Sequence, residues 1–228
     1  MKVLLLLLDL PMFYFGQNVN IPDANFKSYL VSNKAINTNR DKEIQVSEAS
    51  AFNGEIDCGS LNISNLKGIE AFTALTVLYC YENQLTSLDI SKNNALTELY
   101  FYGNQLTSFD VSKNTALTSL YCYGNQLTSL DVSKNTALSG LSCFDNKLTS
   151  LDVSKNTALT NLYCDGNQLT SLDVSKNTAL TFLECYDNQL TSLDVSKNTA
   201  LISLYCYGNK FDCDALKSKY GITNEDGE

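Results

Sequence analysis

Leucines stand at positions 75, 96, 117, 138, 159, 180 and 201, each 21 residues after the last. Between them one order of apolar and polar positions keeps returning. In the third unit a first half supplies Leu117, Leu120 and Cys122 and closes on Asn125. A second half supplies Leu127, Leu130 and Val132 and closes on Asn135. The halves are ten and eleven residues long. Within each, positions four and six alternate and point inward from a short strand, while position one turns inward from the preceding bend. A repeat of this length predicts a solenoid over residues 75–209, its coils stacked as parallel strands about 4.8 Å apart. One coil buries about six apolar side chains at roughly 2 kcal/mol each. Ordering the coil costs roughly 1.5 kcal/mol per residue. Stacking must close that gap.

Two asparagine columns mark the bends. One runs Asn83, Asn104, Asn125, Asn146, Asn167, Asn188, Asn209, and the other Asn93, Asn114, Asn135, Asn156, Asn177, Asn198. A buried bend hides backbone N–H and C=O groups from water, and each one left unpaired costs about 1–3 kcal/mol. An amide side chain carries both donor and acceptor, so it can bond its own bend and that of the next coil.

The units LxxLxCxxNx and LxxLDVSKNxx, recurring in register, resemble the short 21-residue leucine-rich repeats of exported bacterial proteins. The segment Leu66-Lys67-Gly68-Ile69-Glu70-Ala71-Phe72 resembles the lead-in coil of internalin-like surface proteins. The resemblance implies a leucine-rich repeat solenoid over 55–209 with two parallel β-sheets, one per half-coil, and helical caps at both ends. Near-equal halves predict a nearly straight axis. Relatives of this architecture often carry a surface-sorting domain. None follows here, which leaves a freely secreted chain and an incomplete one both open.

Cys80, Cys122, Cys143, Cys164, Cys185 and Cys206 share one inward slot, and Phe101 fills it in the second unit. A slot that admits Phe is a packing slot. Parallel Cβ vectors on stacked strands do not face each other as a disulfide requires, so these six are expected to be buried thiols acting as small apolar groups. Cys58 and Cys213 lie in the flanks and stay open. With no His in the chain, a thiol lacks its usual activating base.

The two halves differ in what they hold constant. The second repeats Thr-Ser-x-Asp-x-Ser-Lys, with acidic and basic columns expected to cancel as a solvated face. The first varies at its outward positions. Its fifth reads Tyr79, Tyr100, Tyr121, Ser142, Tyr163, Glu184, Tyr205, and its seventh Tyr81, Tyr102, Tyr123, Phe144, Asp165, Tyr186, Tyr207. Phe182 joins them from the third position. Ten of the chain's 13 Tyr lie in these columns. Tyr offers apolar area with a polar tip and is favoured at binding surfaces. Stacking between strands, at about 0.2–1 kcal/mol per pair, is the structural alternative. The constant half reads as scaffold and the changing half as the recognition surface.

The flanks depart from the repeat. Met1-Lys2 followed by an apolar run to about Phe15 predicts an export signal cleaved after Gly16, although Asp9 interrupts the run and Tyr14 is large for its place. A buried N-terminal segment is the other reading. Residues 17–54 predict a helical cap, with Asp23 capping a helix from Ala24 to about Lys34 whose face holds Phe26, Tyr29 and Leu30. The loop from Asn37 to Glu48 resembles an EF-hand. That resemblance implies a weak calcium site of Asn37, Asn39, Asp41, the Glu43 carbonyl and Glu48, with Asn37 where an Asp is expected and Lys42 where a Gly makes the turn. No other cofactor is expected. Residues 210–228 predict a closing helix from about Asp212 to Tyr220, stopped by Gly221, and an acidic tail.

Composition narrows the function. The chain has 228 residues and a net charge of −9, which argues against nucleic acid, since a phosphate-binding face needs clustered Lys and Arg. No run after the leader is long and apolar enough to span a bilayer. The expected protein is a monomeric, secreted or cell-surface binding module that contacts a protein or a polysaccharide. A purely structural spacer is the alternative, and no catalytic constellation is visible.

Overall fold

The computed structural model describes residues 16–224. The leader expected at residues 1–16 lies outside them except for Gly16, as does the tail beyond residue 224. Eight three-residue strands form one parallel sheet in sequence order. They are β1 (Glu55–Asp57), β2 (Val77–Tyr79), β3 (Glu98–Tyr100), β4 (Ser119–Tyr121), β5 (Gly140–Ser142), β6 (Asn161–Tyr163), β7 (Phe182–Glu184) and β8 (Ser203–Tyr205). Each pairs with the next in strict register, Leu99 with Leu120 and Leu120 with Leu141. Helices α1 (Ala24–Ser32) and α2 (Val46–Ala51) precede the sheet, and α3 (Cys213–Tyr220) follows it.

The inward positions are the core. In the third coil Leu117, Leu120, Cys122, Leu127 and Val132 are fully buried, and Leu130 nearly so. This core runs from Val19 and Phe26 in the N-terminal region through every coil to Cys206.

Two sheets were expected and one forms. The second half makes a single backbone bond per step between coils, such as Gln105 N–H to Leu85 O and Gln126 N–H to Leu106 O. Its Asp prevents a longer ladder. Asp131 Oδ1 accepts from Ser133 N at 2.8 Å, and Asp89, Asp110, Asp152, Asp173 and Asp194 do the same two residues on. An Asp that bonds its own backbone forms a turn in place of a strand. The matched pair of sheets behind the straight-axis expectation is therefore not present.

The asparagine columns also divide. Asn125 Nδ2 donates to Phe101 O of the preceding coil and to Cys122 O and Tyr123 O of its own, and its Oδ1 accepts from Leu106 N at 3.0 Å. This column uses both groups, as expected. The second uses only its donor. Asn135 Nδ2 bonds Val111 O and Asn114 O, while its Oδ1 is buried without a protein partner. In that bend the backbone donors are already taken, Asn135 N–H by Val132 O and Leu138 N–H by Asn135 O.

Cysteine placement needs one correction. Cys206 was expected to be a free thiol like the rest of its column, but it is bonded to Cys213, with Cα atoms 5.5 Å apart. No further coil stacks on the eighth strand. The chain instead turns at Asp212, whose side chain caps α3 through Ala215 N, and brings Cys213 over Cys206 face to face. Cys58 proves to be the first rung of the ladder, beside Cys80, because its backbone continues β1. Burial pushes the six free thiols up, Cys58, Cys143 and Cys185 to about 12. A thiol held protonated and away from solvent does not react. A thiol-specific disulfide reagent will therefore titrate none of these six in the native protein, and six after unfolding without reductant. A titre of eight would show that the Cys206–Cys213 bond is absent.

Candidate recognition surface

The outward positions of the sheet carry two ring columns. In the outer column, Tyr81 and Tyr102 lie 4.9 Å apart between centroids and Tyr102 and Tyr123 4.3 Å. Tyr123 and Phe144 lie 4.1 Å apart, and all three pairs are within 11° of parallel. Asp165 interrupts this stack, which resumes with Tyr186 and Tyr207 at 4.6 Å. The inner column is less regular. Tyr79 and Tyr100 are tilted by 30° at 4.6 Å, and Tyr121 turns edge-on to Tyr100 at 77°. Beyond Ser142, Tyr163, Phe182 and Tyr205 form a looser run at 5.3 and 5.8 Å. Strand register places the rings and strand spacing sets their separation. The structure thus brings all twelve ring residues singled out in the sequence onto one face, most half-buried against neighbours and Tyr207 54% exposed.

Two positions break the inner column, Ser142 and Glu184. The fourth full coil has Ser142 where most coils have Tyr, and Gly140 where the others have larger residues. A shallow pocket of ≈ 380 Å³ opens there, between Tyr100, Tyr102, Tyr121, Tyr123, Phe144 and Tyr163, with Ser142 at its floor. Tyr121 leans toward the gap, its hydroxyl 3.7 Å from where a Gly140 side chain would begin.

Carboxylates surround the rings. Glu55, Asp57, Glu82, Glu98, Asp145, Asp165, Glu184 and Asp187 lie on this face or its bordering bend, with Lys147 and Lys210 the basic residues there, each directly after the asparagine of its bend. Tyr79 donates its hydroxyl to Glu98 at 3.1 Å. Desolvation and Glu98 together raise the Tyr79 hydroxyl to about 12 and push Tyr100 up as well. Asp165 is 2% exposed. Burial raises its carboxyl, although a bond with the Tyr186 hydroxyl opposes this.

The bend after each strand was legible and went unread. Glu82, Gly103, Gly124, Asp145, Gly166, Asp187 and Gly208 form a column in left-handed conformation. Gly, Asp or Glu before each Asn at a fixed interval is the trace of that requirement.

The opposite side is occupied with itself. Its Asp carboxylates close their own turns, which lowers them below the usual range. Its Lys residues are not paired with them: among the described residues the ion pair within 4 Å is Lys27–Glu43. The expected cancellation is thus one of spread-out charge and not of contacts.

The N-terminal loop is bonded internally too. Glu48 Oε1 accepts from Thr38 N, Thr38 Oγ1 and Asn39 N, and its Oε2 from Gln45 N. Asp41 accepts from Glu43 N, Asn39 Nδ2 and Gln45 Nε2. Asn37 Nδ2 holds Val31 O and Asp41 O, and the Glu43 carboxylate pairs with Lys27. Among the described residues no group of three His, Cys, Asp or Glu side chains is placed to hold a metal. Of the expected ligands, Asn37 Oδ1 is buried without a hydrogen-bond partner, while the Asp41 and Glu48 carboxylates are taken up by donors of the loop itself. Asp23 joins the region to the solenoid, capping α1 with Oδ1 and accepting from Ser64 and Asn65 with Oδ2.

These features define a leucine-rich repeat solenoid of 21-residue period. No protein-family model and no curated protein matches the chain, but solved structures do. The functional domain of InlJ from Listeria monocytogenes, described as including a cysteine ladder, is 33% identical with a TM-score of 0.61, over 89% of this chain and 55% of that one. An internalin, InlF, of the same organism is 23% identical, with a TM-score of 0.68 over 93% and 71%. A leucine-rich repeat protein of Leptospira interrogans is 24% identical, with a TM-score of 0.62 over 72% and 52%. The last two show the fold alone. The fold of this protein is thus similar to that of internalins, and the chain spans about half the length of the InlJ domain, 55%. Among the described residues no helix is long and apolar enough to cross a membrane.

Proposed function

We propose that this protein is an exported, non-catalytic binding module that engages a protein partner through its aromatic sheet face. The observation behind this reading is the asymmetry of the coil. One half turns its Asp side chains back on its own backbone, while the other displays stacked rings 4.1–4.9 Å apart among carboxylates that, among the described residues, form no ion pair. Rings with polar tips give contact area at low entropic cost. Internalin-like neighbours support an adhesion or protein-interaction role. A polysaccharide is the second reading, favoured by the regular ring spacing, since sugar faces stack on such ladders. The N-terminal loop, in this reading, is a structural cap.

The test compares the chain with a folded Tyr100→Ala, Tyr121→Ala, Tyr163→Ala variant on arrayed extracellular proteins and in gels carrying polysaccharides. Retention on a protein, reduced at least 100-fold in the variant, supports the proposal. That factor corresponds to about 2.7 kcal/mol, within reach of three interface tyrosines. Retardation only by a polysaccharide selects the second reading, and equal behaviour of the two proteins removes both. Millimolar Ca²⁺ should change neither retention nor melting temperature. A rise in melting temperature would restore the calcium site.

A further inference from the structure

The gap at Ser142 stands where one ring of the inner column is missing. Tyr121 and Tyr163 stand on strands two steps apart, about 9–10 Å, and Ser142 between them is buried to 2%. A planar group stacked against a ring needs roughly 3.5 Å on each side, and the pocket of ≈ 380 Å³ lined by these rings has volume for one such group. Phe144 and Tyr123 close one flank as a parallel stack. Along the face and its bordering bend eight carboxylates stand against two bases, Lys147 and Lys210. Aromatic faces are themselves electronegative and attract cations. A neutral sugar would leave that charge unused, and an acidic ligand would be repelled.

We propose that this notch receives an arginine side chain from a protein partner with a basic surface. The inference rests on the protein-binding reading above. Guanidinium is planar, always charged and weakly hydrated, so it stacks between rings where a strongly hydrated ammonium does so less well. Tyr121 and Tyr163 flank it, Phe144 and Tyr123 border it, and the carboxylates of the face supply long-range attraction that weakens with salt.

Ser142→Tyr is the decisive variant. It restores the ring found at this position in Tyr79, Tyr100, Tyr121, Tyr163 and Tyr205, so the strand tolerates it, and it leaves every carboxylate in place. The probe is a blocked decapeptide of alternating Gly and Arg, with Gly-Lys and Gly-Glu decapeptides beside it, titrated by calorimetry at 50 mM salt. The expected result is binding of the Arg peptide at least tenfold tighter than the Lys peptide, none of the Glu peptide, and a tenfold or greater loss in Ser142→Tyr. Equal binding of the Arg peptide to wild type and Ser142→Tyr means general charge attraction and overturns the notch. No binding of the Arg peptide also overturns it. The protein-binding reading then stands or falls separately on the three-Tyr variant: loss of a retained protein there, with Ser142→Tyr still binding it, keeps the aromatic face and discards the notch alone.

Discussion

Asn146→Ala will lower the unfolding free energy by about 2–4 kcal/mol, read as a shift of the urea midpoint. The side chain makes four hydrogen bonds. Its Nδ2 donates to Cys122 O, Cys143 O and Phe144 O, and its Oδ1 accepts from Leu127 N at 2.9 Å. The three carbonyls each keep another donor, from Asn125, Asn167 and Gly124. Leu127 N–H keeps none in a buried bend, so its orphaning dominates at about 1–3 kcal/mol, with smaller losses at the carbonyls. Asn209→Ala is the internal comparison. It removes the same pattern, including the bond from Leu190 N, but in the last coil, where Asn209 is only partly buried and water can replace the lost groups. It should cost about 1 kcal/mol. Equal costs at the two positions would show that burial does not set the value of this column.

The repeat, its register and its core were legible because each depends on positions that recur every 21 residues, and stacking requires that recurrence. The sheet count was not. Both halves show the same alternation of Leu, Leu and a small apolar residue, as in Leu117-Leu120-Cys122 and Leu127-Leu130-Val132. What separates them is Asp131, which bonds Ser133 N and bends the chain. Apolar periodicity is blind to that competition. Cys206 misled for a different reason. Its local sequence matches the other ladder positions, and only the lack of another stacked coil and the path of the chain to Cys213 distinguish it. At the N-terminal loop, a carboxylate at the last EF-hand position was visible. Equally visible was Gln45-x-x-Glu48 at the start of α2, where Glu48 closes the helix end by accepting from Gln45 N.

The binding face shows the same division. The ring columns followed directly from the outward positions, since strand alternation fixes which side chains share a face. The notch did not follow. Ser142 and Gly140 were visible as interruptions, but an interruption becomes a pocket only if neighbours do not fold over it. Tyr121 leans in without closing the gap. That outcome depends on the 77° turn of Tyr121 against Tyr100, a rotamer choice that sequence spacing does not encode.

Removing residues 118–138 will leave a folded, cooperative protein, whereas removing residues 127–137 will not. The first deletion is one period and joins Leu117 to Ser139 in phase. It takes out β4 and sets Tyr100 against Ser142, Phe101 against Cys143 and Asn104 against Asn146. Each new pair matches a type already present, since Tyr121 pairs with Ser142 now and Phe101, whose N–H bonds Tyr121 O, already lies beside Cys122. The loss is confined to one coil and its shared interface, as expected of a chain whose units touch only their neighbours. The second deletion removes a half-coil, including the buried Leu127, Leu130 and Val132. It brings a strand-forming half where a turn-forming half must close the coil. Asn146 would lose Leu127 N, the donor its Oδ1 accepts from, and Val111 O and Asn114 O would lose the Asn135 amide that bonds them. Thermal unfolding followed by circular dichroism, with size-exclusion chromatography, separates the two. The one-period deletion should elute as a compact monomer with a single transition, and the half-coil deletion should aggregate or melt without one. A cooperative transition in the half-coil deletion would mean that the two halves are interchangeable, which their different hydrogen bonding forbids.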